Sequence, residues 1–165
     1  MRIAWLIALV FTGCIERTGG NFGAEVGAIE YSDSLDDAAF QVCDEQRVFQ
    51  YYNFSQGPQY LGGKRSFVRQ FELPLDTATR TALQSGYIIV RFIVNCHGEA
   101  GRYRIQQMNF QYTEMQFEDA LLDAVVKKLK SINQWPVNYW EDTPTDYYTY
   151  VTFKILDGRV IEILP

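Results

Sequence analysis

The chain has one histidine, His97, and it directly follows Cys96. A thiol beside an imidazole is the composition of a nucleophile and its base, an arrangement that needs a third group to orient the ring. Neighbours on a strand point to opposite faces and no third group is evident, so Cys96 and His97 are not read as a catalytic pair. A zinc centre needs three or four ligands at defined spacing, and these two residues with the distant Cys43 make a poor set. Glu141, Asp142 and Asp146, together with Tyr139 and Trp140, could supply the two carboxyl groups with which a glycosidase flanks the scissile bond. Without a cleft legible in the sequence, they read as a solvated acidic loop whose aromatics suit partner recognition. Gly62-Gly63 lacks the Lys-Ser/Thr ending of a phosphate loop. The sequence thus assigns no catalytic residue, metal ligand or cofactor, and the expectation is a protein that is not an enzyme.

Charge and composition narrow the partners. A net charge of −5 and a pI near 4.9 argue against nucleic acid, whose binding depends on Lys and Arg displacing counterions. The same acidity repels an anionic lipid surface, so membrane attachment would have to come from a lipid or a span. Residues 1–13 read as a signal peptide: Arg2, the apolar run Ile3 to Phe11, then Thr12-Gly13. That run is too short to cross a bilayer, which takes roughly 20 apolar residues. Phe11-Thr12-Gly13-Cys14 resembles the bacterial lipobox, with Phe where Leu is usual, and it implies a lipid on Cys14; ordinary cleavage leaving a free Cys14 thiol is the alternative. Export would expose Cys43 and Cys96 to oxidising conditions and favour a disulfide between them, closing a loop of about 50 residues; two buried free thiols are the alternative. Residues 14–41 carry Glu16, Glu25, Glu30, Asp33, Asp36 and Asp37 against Arg17 and show no periodicity, so they read as a lipidated N-terminus and flexible tether.

The elements that must position any site follow in 42–165, expected as one domain. Arg47 to Phe54 is aromatic and β-prone, an added strand. Phe67, Val68 and Phe71 mark a short amphipathic helix. Tyr87 to Asn95 is almost wholly apolar and reads as a central strand buried on both faces, returning antiparallel through Tyr103 to Phe110. Thr113 and Gln116 form a capping box before the stripe Phe117, Leu121, Val125, Leu129, Ile132, predicting a main helix from Met115 to Lys130. Tyr147 to Leu156 alternates with Thr149, Val151, Phe153 and Ile155 inward, and Asp157-Gly158 turns it into a last strand, Arg159 to Leu164. The fold class expected is α+β, in two layers: an antiparallel sheet packed against one long helix, with a short helix before it.

This order of elements resembles the C-terminal domain of TonB-like proteins, in a lipoprotein variant. Pro58-Gln59-Tyr60-Leu61-Gly62-Gly63 is similar to that family's Pro-x-aromatic-x-Gly-Gly signature, and Leu73-Pro74 stands where it often has Tyr-Pro. Gly86 through Val94, with Asn95 and Gly98, follows its strand and turn, and Trp135-Pro136 its Trp/Pro element. The resemblance spans residues 58 to 156 and lacks the family's spanning helix and Pro-rich spacer. It implies a non-enzymatic envelope lipoprotein, facing the periplasm or cell surface, that takes a receptor peptide or envelope protein by β-strand addition and is accessory to receptor-mediated uptake. The alternative is a structural or assembly lipoprotein that binds no receptor peptide. For the anchor, Cys14→Ala is expected to remove the acyl mass seen by intact-mass spectrometry of the membrane-extracted chain; an unchanged acyl mass would falsify attachment at that position.

Overall fold

The computed structural model describes residues 27–54, 60, 62–71, 83–132 and 135–164. The expected signal peptide, Cys14, Pro58 and Pro74 lie outside them. No helix among the described residues is long and apolar enough to cross a membrane.

The β-branched and aromatic run 86–94 forms strand β2 (Gly86–Val94). It lies between β3 (Ala100–Met108) and β6 (Tyr147–Leu156), antiparallel to both. β7 (Arg159–Leu164) returns antiparallel along the second half of β6 through Asp157-Gly158, both at positive φ as a two-residue hairpin turn requires. A second hairpin, β4 (Asn138–Trp140) and β5 (Thr143–Thr145), was not legible, because its turn residues Glu141 and Asp142 lack the glycine that usually marks positive φ. The first strand, β1 (Phe49–Gln50), has only two residues and pairs parallel to β6, so the sheet is mixed rather than purely antiparallel as expected.

Two helices complete a mixed helix–strand architecture. Gly62 and Gly63, at φ +88 and +72, admit the chain to α1 (Gly63–Gln70), where a Cβ would be strained. The second, α2 (Asp119–Lys130), has 12 residues, so the long helix expected from Met115 is not formed. Its stripe is nonetheless correct, since Phe117, Leu121, Val125, Leu129 and Ile132 are all buried. The capping box fails because Asn109 Oδ1 draws the Gln111 and Thr113 N–H groups into a turn. Two distant glutamines take over: Gln107 Oε1 accepts from Phe117 N–H and Gln84 Oε1 from Glu118 N–H, both at 2.8 Å.

Both helices bury Phe67, Phe71, Leu121, Val125 and Leu129 against Ile88, Val90, Phe92 and Val94 of β2 and Val151, Phe153 and Ile155 of β6. The opposite face is covered differently. Ile29 and Val48, with the partly buried Ala28, Phe40 and Val42, pack on Ile93 and Tyr148. Residues 27–41, expected as part of a flexible tether, are therefore laid on the sheet. Burial of β2 on both faces is completed only in its last residues, where this segment lies, while Ile89 stays half-buried.

Leu129 is fully buried between the helix and the sheet. Leu129→Ala is expected to lower the unfolding free energy by about 2–5 kcal/mol in urea denaturation, whereas exposed Tyr139→Ala should change it by less than about 0.5 kcal/mol.

Candidate functional site

Of the residues singled out by chemistry, Cys43, Cys96, His97 and Asp146 converge at the turn joining β2 to β3, while Tyr139, Trp140, Glu141 and Asp142 lie apart on the β4–β5 hairpin. Cys43 and Cys96 are disulfide-bonded, with Cα atoms 6.1 Å apart. Cys43 is thus not distant from His97: its sulfur, that of Cys96 and an imidazole nitrogen lie within 4.8 Å of one another. The sulfurs are committed to each other, which removes the thiol that a Cys-His nucleophile requires. Asn95, buried at the end of β2, shapes the turn: its Oδ1 accepts from the N–H groups of His97 and Glu99, and its amide donates to the Gln41 carbonyl and to Glu99 Oε2.

Below the disulfide lies Asp146, which does not belong to a solvated acidic loop. Glu141 and Asp142 are exposed, but Asp146 is 1% exposed. Its Oδ1 accepts from Cys43 N–H at 3.2 Å and Cys96 N–H at 2.8 Å, and its Oδ2 from Asp44 N–H at 2.8 Å. Its carbonyl accepts from Phe49 N–H, which starts β1. Nothing in the local sequence marks Asp146 apart from its neighbours; the donors come from residues about 50 and 100 positions earlier.

The glycines and aromatics of the family resemblance gather mostly beneath the same turn, as structure. Trp135 stacks at a tilt on Phe92 and meets Tyr60 and Phe67. The Trp135 main-chain N–H donates to the Gly98 carbonyl and its indole N–H to the Ile132 carbonyl, and Gly98, at φ +81, faces the Trp135 carbonyl so closely that a Cβ would sit 2.6 Å from it. The Pro136 carbonyl accepts from the Tyr147 hydroxyl at 2.8 Å, and burial pushes that phenol's pKa up. Gly86 stands apart, at the far end of β2, where Met108 and Asn109 leave no space for a side chain. Tyr60, Gly98, Trp135 and Pro136 are therefore brought together, while Gly86 and the Gly62-Gly63 entrance serve other corners.

An open surface runs along the outer edge of β3. On its inner edge β3 pairs with β2 from Tyr87↔Met108 to Val94↔Ala100, with a bulge near Arg102, at φ +53. On the outer edge the Gln107 carbonyl accepts from Met115 N–H, and Met108 bridges Glu114. Because outward groups alternate in an antiparallel ladder, Ile105 and Tyr103 face the same way as Gln107. The Tyr103 carbonyl is taken by Arg104 Nη1 at 3.0 Å; Ile105 has no outward backbone partner among the described residues. Concavities flank this edge at both ends. One of about 350 Å³ is lined by Ile105, Met108, Tyr112, Glu114 and Met115, and one of about 250 Å³ by Leu35, Phe40, Gly101, Tyr103 and Lys130. The Lys130 ammonium lies 5.1 Å over the Tyr103 ring, and burial pushes the Tyr103 phenol up to about 12.

Three arginines hold the N-terminal segment beside that edge. Arg104 binds Asp36 through both nitrogens, at 2.6 and 2.8 Å, and donates to the Glu30 carbonyl; Arg102 pairs with Glu45; Arg91 donates to the Gly27 carbonyl. Nothing in the local sequence around the three arginines marks these partners, which lie some 60 to 70 residues away. The Arg104 guanidinium holds the Asp36 carboxyl below its ordinary value of 3.8. A lowered folded-state pKa adds stability that is full above about pH 4 and disappears as pH falls through the lowered value. Asp36→Asn is therefore expected to destabilise the chain near neutral pH, and that difference should shrink progressively as pH is lowered below about 4, read by urea denaturation across the range. Compared with known protein families, curated proteins and solved structures, the chain matches none.

Proposed function

We propose that the chain is a non-enzymatic envelope lipoprotein whose domain captures an extended protein segment by strand addition to the outer edge of β3. The reading carries with it a two-layer α+β arrangement like the TonB C-terminal domain, a lipid on Cys14, and a role accessory to receptor-mediated uptake. One observation supports it above the others: the outward backbone at Ile105, which has no partner among the described residues, with a concavity toward either end of the strand. Strand addition draws its affinity from main-chain hydrogen bonds and its selectivity from pockets for alternate side chains, and this edge has the means for both. An exposed strand edge otherwise invites aggregation; here the open stretch is short, centred on Ile105, and the half-buried Arg104 and exposed Lys130 beside it are charges that discourage promiscuous pairing.

A second reading, a structural or assembly lipoprotein that binds no receptor peptide, is favoured by the opposite rim. There β1 and β7 already occupy the outer side of β6, so the chain completes that edge with its own strands. The two readings separate in one titration. Receptor N-terminal peptides added to the labelled chain are expected to shift the amide resonances of Tyr103, Ile105 and Gln107. Ile105→Pro removes the outward N–H without touching the ladder to β2, and should weaken peptide binding at least tenfold, by about 1.4 kcal/mol or more, while leaving the fold intact. Shifts confined to β7, or none at millimolar peptide, would favour the structural reading.

A further inference from the structure

We propose that Cys43, Cys96 and His97 become a three-coordinate site for a soft monovalent cation, Cu(I), when their disulfide is reduced. The inference is independent of strand capture and concerns the other end of β3.

The donor atoms are already close. Two sulfurs and an imidazole nitrogen lie within 4.8 Å of one another. Metal–sulfur bonds near 2.3 Å and metal–nitrogen bonds near 2.0 Å put three donors around one ion at roughly 4 Å from each other, so side-chain rotation suffices. Cys43 and His97 are exposed and Cys96 partly so, which gives an ion a route in.

What keeps the donors together is not the S–S bond alone. The Asp146 carboxylate accepts the main-chain N–H groups of both cysteines and of Asp44. Asn95 separately ties the His97 N–H and the Gln41 carbonyl, and Arg102 ties Glu45, two residues beyond Cys43. None of these bonds passes through sulfur, so reduction leaves the two thiols facing each other. Asp146 is also a buried carboxylate with no Lys, Arg or His in ion-pair contact among the described residues. Its negative charge, hydrogen-bonded to the N–H groups of both cysteines, sits beside their backbones and favours a cation there.

The donor set selects the ion. Thiolate and imidazole suit soft or borderline metals. Zinc in a closed site takes four protein ligands, and the described residues bring only three together, whereas closed-shell Cu(I) is satisfied by three. Opening the site takes two electrons and two protons from a dithiol reductant, which leaves as its own disulfide while Cys43 and Cys96 become thiols. Cu(I) then binds sulfur and nitrogen and displaces the thiol protons to solvent, with no change of oxidation state. In the oxidised chain the sulfurs are used up and the site is shut.

The test uses the full chain with Cys14→Ala, so that Cys43 and Cys96 are its only thiols. It is reduced with a phosphine, freed of the reagent without oxygen, and titrated with Cu(I) against bicinchoninate. The reduced chain is expected to retain one Cu(I) and the oxidised chain none, and His97→Ala, a change on an exposed turn, should weaken retention at least about tenfold. Cys43→Ser should abolish it. Uptake by the oxidised chain, equal retention by His97→Ala, or no stoichiometric uptake by a reduced chain with a dispersed amide spectrum would each overturn the proposal. So would collapse of that spectrum on reduction, because the cradle must outlast the disulfide.

Discussion

A single carboxylate ties together parts of the chain that sequence separates widely. Asp146 lies just before β6, and its two oxygens collect N–H groups from residues 43, 44 and 96 while its carbonyl starts β1. A buried anion is costly unless hydrogen bonds replace its hydration, and charge-assisted bonds to main-chain N–H groups are among the stronger ones available. The position of the N-terminal segment, the approach of the two cysteines and the parallel start at Phe49 all follow from satisfying this group. The disulfide adds a covalent constraint where the carboxylate has already set the geometry.

The covering of the sheet's second face depends on a matching of charge across the chain. Read locally, the stretch around Glu30, Asp36 and Asp37 is an acidic, glycine-containing run of the kind that stays disordered. Its counter-charges are on the sheet: Arg104 for Asp36, Arg102 for Glu45, and Arg91 for the carbonyl of Gly27. Phe40 settles over Gly101, where only a residue without a Cβ leaves room for its ring. A window of sequence cannot reveal such a pairing, since half of it lies some 60 to 70 residues away.

What was legible followed from periodicity and turn chemistry. The apolar run 86–94, the alternation from Tyr147, the Asp157-Gly158 turn and the stripe from Phe117 to Ile132 each appear where the pattern put them, because each reports a local requirement of strand, turn or helix. The start of α2 was misjudged because Thr113 turns back on Asn109, while Gln107 and Gln84 hold the N–H groups of Phe117 and Glu118 in the extended chain just before the helix. The pairing of Cys43 with Cys96 was expected, but the burial of Asp146 and the nearness of Cys43 to His97 are products of the folded chain alone. The open edge of β3 was equally hidden, since an unpaired strand has the same residues as a paired one.

The strap of residues 27–42 has a mechanical consequence. A pull from its N-terminal end meets the Arg91, Arg104 and Phe40 contacts in turn, each of which can release separately, and then arrives at a covalent stop at Cys43. Unreeled at roughly 3.4 Å each, those residues span at most about 55 Å, so the reach of the domain grows by that length less the distance they already cover, before the load falls on the disulfide. Below that limit, tension is absorbed by a reversible peeling of side chains, and the strands bearing the open edge keep their alignment.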